Sequence, residues 1–163
     1  MKAIRKWFII VPFALLFTMP TTWAIAGEPM TVVADSYNQN KAQKWVDFLL
    51  SKEVEVEFCE PADFDSVKTA KYIAIMGGVD DPDIKKLITD IIGAEAADAL
   101  AKKGAKKMFV KNGYGAQDQE MLIFTGSDSD AAADARVESK ETWMPILTEW
   151  FDLDEGPGSL QMY

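Results

Sequence analysis

The period of the apolar positions changes several times along the chain, and each change marks an element. Thr31-Val32-Val33-Ala34-Asp35 is short and apolar and reads as a first strand. Ala42, Trp45, Val46, Leu49 and Leu50 then recur at the spacing of a helix with one buried face, opened by Asn38 or Asn40. Val54-Glu55-Val56-Glu57-Phe58-Cys59 alternates strictly. That pattern predicts a second strand with Val54, Val56 and Phe58 on one face and a wet opposite face, hence a sheet edge. Glu60-Pro61 ends it, and Ala62 to Thr69 reads as a loop or short helical turn capped by Asp63. Lys71 to Gly78 is apolar on both faces and stops at two glycines, as a central parallel strand does.

Asp81-Pro82 supplies an N-cap and a first-turn proline for a helix carrying Ile84, Leu87, Ile88, Ile91 and Ile92, which Gly93 breaks. An alanine-rich helix from Ala94 to Lys103 stops at Gly104. Lys106–Lys111 and Glu120–Thr125 read as strands joined through Asn112-Gly113-Tyr114-Gly115, a length that suits a hairpin. Ser127 or Ser129 caps a further alanine-rich helix running to about Lys140, and an apolar helix from Trp143 to Phe151 follows. Strands alternating with helices imply the α/β class: a single three-layer domain over residues 27–153, with a mainly parallel sheet of about five strands and one antiparallel hairpin. Residues 154–163 read as a flexible acidic tail.

The first 26 residues follow a different pattern. Lys2, Arg5 and Lys6 precede an uncharged apolar run from Trp7 to Met19, and Ala24-Ile25-Ala26 forms an A-x-A site before Gly27. This is the layout of a secretory signal peptide. A membrane anchor needs about 20 apolar residues; this run is shorter and has Pro12 in its middle. Cleavage after Ala24 would put Trp23 beside the scissile bond, so cleavage after Ala26 is expected, leaving an extracytoplasmic (periplasmic or secreted) protein with no membrane anchor. The 26 residues carry three of the 17 basic side chains and none of the 26 acidic ones, so the remainder holds 14 basic residues and a formal charge of −12. Such a surface repels nucleic acid and anionic lipid.

Two absences narrow the chemistry. The chain has no histidine, which excludes Ser-His-Asp and Cys-His catalysis and histidine-ligated metals. Its one cysteine, Cys59, permits no internal disulfide and no thiolate zinc site, and at the end of an apolar strand it reads as a small buried hydrophobe.

Three predicted strand ends share a character: Asp35-Ser36, Gly77-Gly78-Val79-Asp80-Asp81, and Gly126-Ser127-Asp128-Ser129-Asp130. Ligands of open α/β sheets bind at the carboxyl ends of strands. If these strands are neighbours, Asp35, Gly77, Gly78, Asp80, Asp81, Ser127 and Asp128 form a rim for a ligand or for a hard cation, Ca²⁺ or Mg²⁺. The same acids are what helix N-termini require as caps. No phosphate-loop or calcium-loop motif is present, no catalytic residue is assigned, and no cofactor beyond that ion is implied. Asn112, Tyr114 and Gln117 in the hairpin loop form a candidate contact surface for a sugar. The aromatic stripe Trp143, Trp150, Phe151 reads as core, and the lysines from Lys102 to Lys107 as a solvated helix end.

From Lys71 to about Val137 the chain resembles the α/β modules of archaeal surface-layer and related cell-envelope proteins. The likeness lies in Ile73-Ala74-Ile75-Met76-Gly77-Gly78 before a proline-containing helix start, and in Met121-Leu122-Ile123-Phe124-Thr125-Gly126 before a helix with Ala131, Ala132, Ala133 and Ala135. The chain departs in carrying Asp80-Asp81-Pro82-Asp83 where those modules tend to have Asn-Pro. The resemblance implies an extracytoplasmic, non-catalytic role and transfers no catalytic residue. Two readings follow: an exported α/β domain that binds a protein or glycan partner in the cell envelope, or a divalent-cation-dependent hydrolase or transferase using the carboxylate rim.

Overall fold

A computed structural model describes residues 27–153; the signal peptide and the acidic tail expected from the sequence lie outside them. In chain order the elements are β1 (Met30–Val33), α1 (Ser36–Ser51), β2 (Val56–Cys59), a 3₁₀ turn (Pro61–Ser66), β3 (Tyr72–Gly78), α2 (Pro82–Ile92), α3 (Ala94–Leu100), β4 (Lys106–Asn112), β5 (Glu120–Gly126), α4 (Ser129–Glu138) and α5 (Lys140–Phe151). The sheet runs β2-β1-β3-β5-β4. All neighbours pair in parallel except β4 and β5, the expected hairpin. The domain is thus α/β with a mixed, mainly parallel sheet.

Each face of the sheet buries its own cluster. On one, Trp45 and Leu49 of α1 meet Leu122 and Phe124 of β5 and Trp143 and Leu147 of α5. Trp45, Phe124 and Trp143 stand edge to face, with ring centroids 6.2 to 6.4 Å apart, a preferred aromatic geometry. Arg136 of α4, 6% exposed, ties this layer together. Its Nη2 donates to the Lys41 carbonyl at 3.1 Å, and its own carbonyl accepts from Trp143 Nε1 at 2.7 Å. On the other face Ile84, Leu87, Ile88 and Ile91 of α2 and Leu100 of α3 cover Ile73, Ile75, Met121 and Ile123.

Several boundaries differ from the sequence reading. β1 ends at Val33, and α1 starts at Ser36 because Asp35 caps it, not Asn38 or Asn40. α3 ends at Leu100, α4 is capped by Asp128, and α5 begins at Lys140. Glu60, not Asp63, is the N-cap of the 3₁₀ turn, which opens on Pro61. β2 is an edge strand as expected, yet Phe58 is 45% exposed while Cys59, on the opposite face, is buried. Phe58 has no strand beyond it, and Val110 on the far edge strand β4 is similarly exposed. Of the predicted helix-end lysines, Lys106 lies in β4 and pairs with Asp134 and Glu138 of α4. Among the described residues no helix is long and apolar enough to cross a membrane.

Candidate functional site

The topology brings the three predicted strand ends together. β1, β3 and β5 are consecutive in the sheet, and chain order reverses between β1 and β3, the place where doubly wound sheets open a ligand crevice. Here the crevice is occupied by the protein's own groups. Asn38, at the start of α1 and 3% exposed, donates from Nδ2 to Asp35 Oδ1 and to Ser129 Oγ, both at 3.0 Å, bridging α1 to α4. Tyr37 donates its hydroxyl to Asp130 at 2.8 Å, and Lys41 reaches the same carboxylate at 3.2 Å. A Cβ on Gly78 would collide with the backbone of Asp128, and one on Gly77 would lie 2.7 Å from Ile84 Cγ1. The two glycines let the β3 and β5 loops and α2 pack closely; they do not hold a cradle open.

The acids of this rim act separately. Asp35 caps α1, accepting from Asn38 N at 2.7 Å. Asp81 caps α2, accepting from Asp83 N at 2.8 Å and Ile84 N at 3.0 Å. Asp128 caps α4, accepting from Ala131 N at 2.9 Å, while its second oxygen takes the Ser127 hydroxyl at 2.9 Å. Those donors, the Ala131 N–H first, hold the Asp128 carboxyl below the usual carboxylate range. Ser127 Oγ also accepts from Gly104 N at 3.0 Å, and Asp80 is exposed. Among the described residues no three acidic, cysteine or histidine side chains are arranged to hold a metal ion.

The hairpin loop is pinned rather than presented. Gln119 is fully buried. Its Nε2 donates to the carbonyls of Lys68 at 2.7 Å and Ala70 at 2.8 Å, and its Oε1 accepts from Gly115 N at 2.8 Å. Gly115 packs so closely on the Lys68 carbonyl that no side chain fits there. Tyr114 is consequently half-buried, its ring 6.3 Å from Phe64, with the Lys68 ammonium 5.2 Å from its centroid. It lines a cavity of about 140 Å³ that Asn112 and Gln117, both exposed, do not share.

A larger cavity, about 500 Å³, lies at the opposite end of the sheet, by the first residues of β3 and the segments leading into β1 and β2. That volume is typical of a small-ligand or side-chain pocket. Its wall is aromatic: Tyr72 stacks on Trp150 with centroids 5.1 Å apart, and Phe151 meets Tyr72 edge-on at 4.9 Å. The Lys71 ammonium sits 4.9 Å from the Tyr72 centroid. A hydrogen bond with Tyr72 holds that ammonium above its ordinary range. Trp150 is buried, as its place on the helical stripe predicts, while Phe151 is only partly buried; nothing in that stripe predicts the cavity the two residues wall. One signal was available: Glu149 and Asp152 crowd the end of α5 with no basic residue in its last turn, the reverse of what a helix C-terminus favours. Comparison with protein-family models, with curated proteins and with solved structures finds no match for this chain.

Proposed function

We propose that this chain is an exported, non-catalytic binding domain whose partner, a protein or a glycan, belongs to the cell envelope. The aromatic-walled cavity beside Tyr72, Trp150 and Phe151 carries this reading. Among the described residues it is open, whereas the crevice at the strand C-terminal ends is crossed by the Asn38 bridge, and Asp35, Asp81 and Asp128 there serve as helix caps. Export is supported by the charged, apolar and A-x-A pattern of residues 1–26. The resemblance of residues 71–137 to surface-layer modules bears the same way.

Two measurements test it. Terminal sequencing of the protein from an extracytoplasmic fraction should begin at Gly27. The purified protein should pellet with isolated cell-envelope material, and stripping that material of either its protein or its glycan should abolish the pelleting and identify the partner class. A protein that keeps residues 1–26 and stays in the cytoplasm, or that ignores envelope material, defeats the reading. So does a Mg²⁺- or Ca²⁺-dependent hydrolase or transferase activity lost in Asp128→Asn.

A further inference from the structure

Resting on that reading of the chain as a binding domain, we propose that the cavity walled by Tyr72, Trp150 and Phe151 receives a lysine or arginine side chain from a basic segment of a partner protein. Among the described residues its mouth is unbalanced in charge: Glu28, Glu53, Glu55, Glu149 and Asp152 line it against Lys52, Lys71 and, once residues 1–26 are removed, the α-ammonium of Gly27. Two helices, α1 and α5, direct their C-terminal ends there, and neither has a basic residue in its last turn. Lys52 is the C-cap of α1 and offsets that end, so it is the partial negative charge at the end of α5 that adds to the carboxylates. Among the described residues no three of these acids converge as metal ligands. The negative charge is spread around an aromatic wall, which suits an extended organic cation.

The wall already accepts one such cation. Lys71 holds its ammonium over the Tyr72 ring, the position a partner's cation would share or take over. A neutral sugar could stack on these rings but would gain nothing from the excess of carboxylates, and an anionic segment would be repelled. The two non-glycine residues with positive φ among those described, Glu53 at 62° and Asp152 at 50°, both line this mouth. Glycine is the usual occupant of such helix-end positions, so these carboxylates stand where backbone conformation alone would favour none.

That conformation supplies a clean test. The double substitution Glu53→Gly, Asp152→Gly removes two carboxylates while giving the backbone the residue it prefers, so the thermal midpoint should hold or rise. Affinity for a tetra-arginine peptide, titrated by tryptophan fluorescence, should fall by up to about tenfold, as expected for losing two exposed charge contacts. Lys71→Met should tighten the peptide by removing the competing cation, and added salt should weaken it. Peptide affinity equal in wild type and double variant overturns the proposal, as does equal binding of tetra-glutamate. If spermine binds as tightly as the peptide, the occupant is a free polyamine and the proposal fails. If the peptide binds only after deletion of residues 154–163, that segment is the occupant and the proposal fails. A protein that pellets with envelope material yet ignores the peptide refutes the cation site while leaving the binding-domain reading standing.

Discussion

A glutamine side chain fixes the segment that joins β4 to β5. Gln119, itself fully buried, satisfies two carbonyls and one N–H of part-buried loop backbone. Gln119→Ala leaves those groups without their partner, and each buried unpaired group costs about 1–3 kcal/mol. Because water can reach part of the exposed Asn112–Gly113 end of the loop, the expected total loss is about 2–3 kcal/mol, read as a lower urea midpoint with an unchanged slope. A loss under about 0.5 kcal/mol would mean that the loop holds without it. Cys59 illustrates the opposite kind of residue. It is buried, its Sγ is 3.3 Å from the Glu60 carbonyl, and burial pushes its thiol pKa up, so it behaves as a small hydrophobe.

At the scale of elements, the chain's periodicity carried most of the fold. The isoleucine and leucine stripe of α2 and the continuous apolar run of β3 have one natural placement each, against the sheet and within it. The β4–β5 hairpin was legible from its loop length. Helix starts were less so, because Asp35, Asn38 and Asn40 all have capping chemistry and only the backbone selects Asp35. The rim was legible as an assembly of strand ends but not as a filled one. Asn38 bonds Ser129, 91 positions away in sequence, and no local pattern encodes that. The cavity beside Trp150 was hidden for a related reason: it is built from segments distant in sequence, and an aromatic stripe on a helix looks the same whether core covers all of it or leaves one end open. Gly77-Gly78 likewise looks like a ligand approach and is a packing device. Gly78→Ala tests this, since its new Cβ would meet the Asp128 backbone, which a rotamer change cannot relieve. Overpacking of this kind costs about 1–3 kcal/mol or more. An unchanged thermal midpoint would show that the β3 and β5 loops can separate and leave room for a ligand.

For the whole molecule, the net charge sets two effects against each other as pH falls. With residues 1–26 removed the formal charge is −12, and acidification relieves that self-repulsion. Against it stand carboxyls whose ionised form the fold stabilises. Asp128 is held below the ordinary range by the Ala131 N–H and the Ser127 hydroxyl, Asp130 by Tyr37 and Lys41. A carboxyl whose pKa is lower folded than unfolded contributes stability above its unfolded pKa and loses it as pH falls through its folded one. Lys41, Lys71 and Lys106 are shifted upward, so their contribution is complete at neutral pH and is lost only in strongly alkaline solution. Native-specific contacts such as the Asp128 cap act over hydrogen-bond distances, whereas surface repulsion is screened beyond about 8 Å at physiological salt. The caps should therefore prevail at that salt. The thermal midpoint should stay level from about pH 8 to pH 5 and drop below about pH 4. Asp128→Asn, which keeps a capping oxygen but cannot titrate, should flatten that drop. At low ionic strength the drop should shrink in the unmodified protein as well, because unscreened repulsion then opposes it. A midpoint that rises on acidification at physiological salt would mean that self-repulsion, and not the caps, governs how this fold responds to acid.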